Sequence, residues 1–266
     1  MYNQYSYQTM GTINRQMDNM GDAVNDINNI FTTGYKSKEV TFHETVNGLK
    51  AIKRRMQDDG VAKKTNRELD FSLQGKGFFE VQLPDGTMAY TRDGAFSIGP
   101  NGELVSSQGY PVVVNNPDAE FIAQSYDASS GEVTSDFDVG VNSSKTFIPI
   151  GATVLLEDDG MLRTDSGQLI GKLSVVNFTN PDGLIDLGDN LFLATDAVGK
   201  IADANIGPLN GQTEIMQGYL ESSNVSIVKN MSDMVQMNTA VKAEMKVIKM
   251  LDSMQENLNS TITRNL

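Results

Sequence analysis

The residues able to do chemistry are few and poorly placed for it. The 266-residue chain has one histidine, His43, and no cysteine. Without cysteine there are no disulfides, thiolate ligands or thiol nucleophiles, and one histidine cannot build a His-rich zinc or iron site. A Ser-His-Asp triad would have to use His43, and no nucleophile-elbow motif accompanies it. His43 reads as an exposed loop residue. Gly75-Lys76-Gly77 looks like the opening of a dinucleotide fingerprint, but Glu80 stands where the third glycine belongs. The segment also leads into a strand, whereas that fingerprint must open a helix. Glu157-Asp158-Asp159-Gly160 and Asp182-Gly183 lack the alternating oxygen ligands and terminal glutamate of a calcium loop. Carboxylate pairs of the kind used in glycoside hydrolysis are available, yet tryptophan is absent and aromatics make up 7%, which is poor material for a sugar cleft. The expectation is no catalytic residue, no cofactor and no metal.

Charge excludes another class. The net charge is −13, and it is unevenly spread. Residues 1–30 carry −2. Residues 31–67 hold nine Lys/Arg against four Asp/Glu, a net of +5, while residues 68–217 hold six against 22, a net of −16. Residues 218–266 are balanced at five against five. Nucleic acid requires a basic face to neutralise its phosphates, so an acidic middle argues against it as a partner. The short basic stretch, with Lys53, Arg54 and Arg55 at its heart, reads either as solvated or as a contact to acidic surface on a neighbouring subunit. No run approaches the roughly 20 apolar residues of a membrane helix. The start, residues 1–8, is polar and tyrosine-rich, without the basic and apolar regions of a cleaved signal peptide.

The elements that must present any surface are legible from periodicity. Met10, Ile13, Met17, Met20, Val24, Ile27 and Phe31 step by 3 and 4 in alternation, a heptad seam. The helix they define should end near Ile30, because Thr32-Thr33-Gly34 follows. At the other end Met231, Met234, Val241, Met245, Ile248, Leu251, Met254, Leu258 and Ile262 recur at helical spacing, with Asn238 in the seam. Isolated amphipathic helices are marginal in water. Two of them are expected to pair in a coiled-coil-like manner and to offer leftover apolar surface to neighbouring copies. Methionine adapts to repeated, slightly variable contacts.

Between the helices the period falls to two. Residues 69–73, 77–83, 88–92, 95–98 and 103–106 read as strands joined by Pro84-Asp85-Gly86, Asp93-Gly94 and Asn101-Gly102 turns, an antiparallel meander. Further strands are expected at 145–150, 153–156, 169–178 and 190–194. Gly34, Gly75, Gly77, Gly94 and Gly218 are expected at structural turns, and Asn224 at the cap of the C-terminal helix. The predicted fold is mainly β, with long N- and C-terminal α-helices bracketing an inserted antiparallel domain. Its parts are an N-terminal helix (1–30), a basic connecting segment (31–67), an acidic β-rich outer domain (68–217) and a C-terminal helix (218–266) that pairs with the first.

Four segments in order resemble the flagellar axial proteins, the rod and hook family. They are Asn28-Asn29-Ile30-Phe31-Thr32-Thr33-Gly34-Tyr35-Lys36; Leu69-Asp70-Phe71-Ser72-Leu73-Gln74-Gly75-Lys76-Gly77-Phe78-Phe79, followed by Tyr90-Thr91-Arg92-Asp93-Gly94-Ala95-Phe96 and Gly109-Tyr110-Pro111; Asn180-Pro181-Asp182-Gly183-Leu184 through Gly188-Asp189-Asn190-Leu191-Phe192; and Gln217-Gly218-Tyr219-Leu220-Glu221-Ser222-Ser223-Asn224-Val225. Residues 115–145 match poorly. Met237-Asn238-Thr239-Ala240-Val241 departs from the Gln-Arg-Ala-Tyr-like run common in the family's C-terminal helix.

The resemblance implies a structural subunit of the basal-body rod, most similar to the distal rod branch. It implies export by the flagellar type III apparatus without a cleaved signal, and assembly in the periplasm into a helical tube that carries torque, a periplasmic to extracellular place in the flagellar basal body. The implied partners are copies of the chain, other flagellar axial proteins, the export apparatus and a bushing ring, with neither nucleic acid nor membrane insertion. The terminal helices are implied to form the inner layer of the tube. A proximal rod or hook-type protein, or a non-assembling secreted binding module with a helical stalk, is the alternative.

Overall fold

Helical periodicity at both termini becomes two long helices. The structure, a computed structural model, describes residues 2–45, 48–56, 58–115, 125–126, 133–134, 148, 152–157, 159–195, 198–201 and 213–264. The chain divides into two units. The first comprises Met1–Phe31, Lys36–Met56 and Asn224–Leu266, and the second Thr32–Tyr35 and Gln57–Ser223. No helix among the described residues is long and apolar enough to cross a membrane.

The first unit holds α1 (Tyr2–Asn28), a hairpin of β1 (Lys38–Thr45) and β2 (Gly48–Arg55), and α2 (Ile227–Arg264). Gln16 Nε2 donates to Glu244 Oε1 at 3.3 Å, joining α1 to α2. The hairpin corrects the reading of His43 as a loop residue, since it lies in β1 opposite Lys50. Asn224 is corrected too. Its Oδ1 accepts from Ser37 N at 2.7 Å and its Nδ2 donates to Met56 O at 2.9 Å, so it tethers both feet of the hairpin. Ser226, one residue before α2, accepts from Lys229 N at 3.4 Å in the capping position.

In the second unit the described strands all pair antiparallel, and a 3-10 turn, Pro181–Gly183, stands among them. Its strands begin with β3 (Ala62–Lys64), β4 (Phe71–Gln74), β5 (Phe78–Gln82), β6 (Met88–Thr91), β7 (Ser97–Ile98), β8 (Leu104–Val105) and β9 (Val114–Asn115). They continue with β10 (Ser125–Tyr126), β11 (Val133–Thr134), β12 (Val154–Leu156), β13 (Met161–Thr164), β14 (Leu169–Leu173) and β15 (Val175–Phe178). The last are β16 (Ile185–Gly188), β17 (Leu191–Leu193), β18 (Lys200–Ile201), β19 (Glu214–Gln217) and β20 (Tyr219–Glu221). A six-stranded sheet runs β16-β17-β6-β5-β15-β18 and a four-stranded one β12-β13-β14-β9.

The expected simple meander gives way to closure by the chain's two ends. β4 pairs with β19 and β3 with β20, so the segments entering and leaving the unit are laddered together. The expected strand at 169–178 is two strands, β14 and β15, in different sheets. That expected at 145–150 lies outside the described residues except for Ile148, which is fully buried.

Alternating side chains point to opposite faces of a strand, and here both faces are covered. Phe79, Val81, Ala89 and Val175 join Phe71, Leu73, Phe96, Leu104, Ile148 and Leu162 in the larger apolar cluster. Their neighbours Phe78, Tyr90 and Val176 join Phe178, Phe192 and Val198 in a second cluster. Phe79 meets Phe96 edge-on at 5.1 Å, and Tyr90 meets Phe178 edge-on at 4.9 Å, the arrangement aromatic quadrupoles favour. Glu80, buried on the second face, accepts from Tyr90 Oη at 3.2 Å and Ser174 Oγ at 2.8 Å.

Candidate assembly surfaces

Each helical seam separates into a covered row and an open row. On α1, Ile13 is buried and Met20 and Ile27 are half-buried, whereas Met10, Met17 and Val24 are exposed, Met10 by 59%. On α2, Val241 is buried and Met234, Ile248 and Leu251 are half-buried, whereas Met231, Met245 and Met254 are exposed. Leu258's side chain lies outside the described residues. Each residue advances the helix by about 100°, so positions seven or fourteen apart stay roughly aligned. Met10, Met17 and Val24 share one row on α1 and Met231 and Met245 one on α2, whereas Met254, nine residues beyond Met245, lies on the opposite face. Asn238, expected in the seam, is exposed, while Met237 is half-buried. Sequence reading missed four further exposed apolar residues on α2: Val228 and Val235, which flank Met231, and Val247 and Met250, which line up with Met254. Their i, i+3, i+7 spacing was the available signal.

The basic residues lie on the hairpin. Lys53 is paired with Val40, Arg54 with Glu39 and Arg55 with Lys38, and the side chain of Arg54 is exposed. Among the described residues β1 and β2 form a two-stranded sheet with no third strand.

In the second unit, the segments 32–35, 58–64 and 219–223 converge on Arg92, a residue to which the sequence assigned no role. Arg92 and Glu221 are 2% and 1% exposed, and Arg92 Nη1 lies 3.3 Å from Glu221 Oε2 and 3.5 Å from Asp59 Oδ1. Arg92 Nη2 donates to Gly75 O at 2.8 Å, and the guanidinium stands 5.2 Å from the Phe78 ring centre. Glu221 Oε1 accepts from Gly60 N, and its backbone oxygen from Gly34 N, both at 2.8 Å. Gly75 N in turn donates to Asp59 Oδ2 at 2.9 Å. The two buried charges are paired and both carboxylate oxygens of Glu221 are used, while Arg92 Nε has no hydrogen-bond partner among the described residues.

Of the glycines expected at turns, Gly34, Gly75, Gly77 and Gly218 have positive φ. Gly94 does not; it is required for another reason. A Cβ there would lie 1.8 Å from Phe71 O. At Gly34, a Cβ would lie 2.6–2.8 Å from Arg92 and Asp93 backbone atoms.

Asp93 gives the unit a pH dependence. Burial pushes its carboxyl above the usual range, against hydrogen bonds from Ser107 Oγ and Ala95 N that pull it down. Nearby Asp70 adds to the rise and Arg67 opposes it. Because the folded value exceeds the unfolded one, the folded state binds the extra proton. This contribution to stability therefore falls as pH rises from about 4, the ordinary aspartate value, through the folded value. Asp93→Asn, whose Oδ1 can still accept from Ala95 N while its Nδ2 donates to the Ser107 hydroxyl, should flatten that part of the profile. Parallel urea titrations of parent and variant between pH 4 and 7 check this; identical slopes would remove Asp93 as the cause.

Two family profiles match this frame. "Flagellar hook protein FlgE/F/G D1 domain" covers residues 72–147, and "Flagellar basal body rod FlgEFG protein C-terminal" covers 216–261, which holds β20 and most of α2. The chain is 30% identical over 272 residues to the flagellar basal-body rod protein FlgG of Buchnera aphidicola subsp. Schizaphis graminum, covering 93% of this chain and 95% of that one. The chain belongs to the flagellar basal-body rod protein family. FlgG of Borreliella burgdorferi is also 30% identical, over 264 residues, covering 90% and 91% of the two chains. The flagellar hook-basal body complex protein FlhP of Bacillus subtilis is 26% identical, covering 95% and 96%. This rod family is structural and not enzymatic. The residues that matter in such a protein are those that hold its shape and meet its neighbours.

Proposed function

We propose that the chain is a structural subunit of the flagellar basal-body rod, of the distal rod type, assembling into a helical tube that transmits torque from motor to hook. The observation that carries this reading is the open row on each helix. Met10, Met17 and Val24 on α1, and Met231 and Met245 on α2, are apolar at multiples of seven residues and stay exposed in a single chain. Exposed apolar surface of this regularity marks a protein contact. Two such rows on one molecule give a head-to-tail contact that need not close, which is how open helical polymers arise. The covered rows then pair α1 with α2 in a coiled-coil-like way, and the open rows bind neighbouring copies and other flagellar axial proteins. Export by the flagellar type III apparatus belongs to the same reading.

The test separates the two rows. Met245→Asp puts a carboxylate in the open row, where a single chain leaves it in water and an assembled one desolvates it, at several kcal/mol. Light scattering and electron microscopy should show polymer for the parent and none for Met245→Asp, while the helix signal of the variant in dilute solution stays parental. Ile248→Asp, in the covered row, should lower that helix signal as well. If Met245→Asp polymerises like the parent, the open row is no interface.

A further inference from the structure

The chain has no cysteine and no tryptophan, but 14 methionines. Its thioethers are therefore the softest and most readily oxidised groups it carries. They are not evenly exposed. Met10, Met17, Met231, Met245, Met250 and Met254 are open to solvent, from 47% at Met245 to 65% at Met250, and all six lie on α1 or α2. The methionines described in the β unit, Met88, Met161 and Met216, are half-buried, and so are Met20, Met56, Met234 and Met237 in the first unit. Susceptibility to oxidation follows access to solvent. The two helices thus concentrate the reactive sulfur of the molecule on the surfaces they leave open.

We propose that these exposed thioethers are a reversible oxidation site: a peroxide converts them to sulfoxides in the free chain, and the oxidised chain does not join a polymer until they are reduced. The proposal rests on the self-assembly reading above and adds a regulation to it. A lone pair of methionine Sδ attacks one oxygen of hydrogen peroxide, and the O–O bond breaks. That oxygen stays on sulfur, and its proton leaves with the departing hydroxide as water. Sulfur gives up two electrons and the peroxide takes them. The product is polar and chiral where the thioether was apolar and flexible. Met10, Met17, Met231 and Met245 supply all but one of the residues of the two open rows. A sulfoxide carried into such a contact without a donor weakens it by about tenfold, and the loss recurs in every copy. The fold of the free chain is spared, because the six sites already stand in water and the buried seam residues Ile13 and Val241 carry no sulfur. Finished polymer is protected in turn, since its rows are covered.

Hydrogen peroxide on the dilute full-length chain tests this, with peptide mass spectrometry to locate each added oxygen. The six exposed methionines should be oxidised before Met88, Met161 and Met216, with the helix signal unchanged. Polymerisation followed by light scattering should then be slower by about tenfold or more. Both methionine sulfoxide reductases with dithiothreitol return each sulfoxide to thioether, releasing water and leaving the dithiol as a disulfide. That treatment should restore the rate to within about twofold, which also shows that the oxidised chain was not damaged otherwise. A variant with leucine at all six positions keeps apolar bulk without sulfur. Whatever its own rate of polymerisation, peroxide should change that rate by less than about twofold; if it does not polymerise, the reductase arm on the parent decides. The proposal is overturned if the parent with six sulfoxides polymerises at its untreated rate, if reduction of the sulfoxides leaves it slow, or if the leucine variant is as sensitive as the parent. Equal oxidation of Met10, Met17, Met231 and Met245 in polymer and in free chain would show the rows uncovered, and would remove both the open-row contact and this proposal. Failure of the untreated parent to polymerise would remove the self-assembly reading itself, and the proposal with it.

Discussion

Replacing Glu221 with Leu should lower the unfolding free energy of the β unit by about 3–5 kcal/mol, the usual cost of stranding one charge of a buried pair. The guanidinium of Arg92 is 2% exposed and, among the described residues, would keep only Asp59, at 3.5 Å and 40% exposed, as a counter-charge. Two backbone donors have Glu221 as acceptor, and one of them, Gly60 N, uses the side chain and would be lost. The decisive comparison is with Arg92→Met added to Glu221→Leu. Removing both charges leaves an apolar pair beside Phe78, and such replacements are often neutral or stabilising. The double variant should recover most of the loss. Hydrogen exchange of the β5 and β6 amides reads this unit without interference from the helices. A double variant as unstable as Glu221→Leu alone would mean that Glu221 acts through Gly60, not through the ion pair.

The location of that pair explains its weight. Arg92 follows β6, Asp59 precedes β3 and Glu221 ends β20, 129 residues from Arg92 in sequence. Every segment by which the chain enters or leaves the β unit is fastened there: 32–35 through Gly34 N, 58–60 through Asp59 and Gly60, and 221–223 through Glu221. In a rod subunit, load arriving through those segments would reach the sheets at one buried, hydrogen-bonded point.

How much of this was legible follows from the range of each signal. Helix periodicity is local, so α1 and α2 were visible in Met10 to Ile27 and in Met231 to Met254. Which row is covered depends on a partner, and a seam written as one list does not separate Ile13 from Met17. The strands between β4 and β8 were visible from alternation and from Asp-Gly and Asn-Gly turns. Their pairing was not, because β4 finds β19 about 140 residues later, and nothing local encodes that. The Phe78-Phe79 doublet signalled a sheet covered on both faces, which an alternating template undervalues. The hairpin's own alternation, Val40 and Phe42 against Thr41 and His43, was masked by charge. Arg92 was quoted within a motif but had no visible partner, since Asp59 and Glu221 are distant in sequence.

Gly94 turns that lesson into a measurement. As a turn glycine after Asp93 it would tolerate asparagine, the residue that most readily accepts positive φ in place of glycine. The structure gives it a different duty. Its φ is not in the left-handed region, and a Cβ would lie 1.8 Å from Phe71 O, 2.8 Å from Phe71 C and 3.1 Å from Phe79 Cε2. Phe71 and Phe79 are fully buried, and Phe71 N donates to Gly94 O at 3.0 Å, so neither side can yield without opening the core or breaking that bond. Gly94→Ala and Gly94→Asn should therefore be about equally damaging, each costing about 3 kcal/mol or more from overpacking and a lost buried hydrogen bond. Gly86 is the control. It has φ of +83° and open space where a Cβ would go, and it follows Asp85 in the β5–β6 hairpin, so Gly86→Asn should cost less than about 1 kcal/mol and Gly86→Ala somewhat more. Urea unfolding of the four variants gives the comparison. If asparagine rescued position 94 as it does position 86, the chain there would be an ordinary turn, and the contact between Gly94 and Phe71 would not hold in solution.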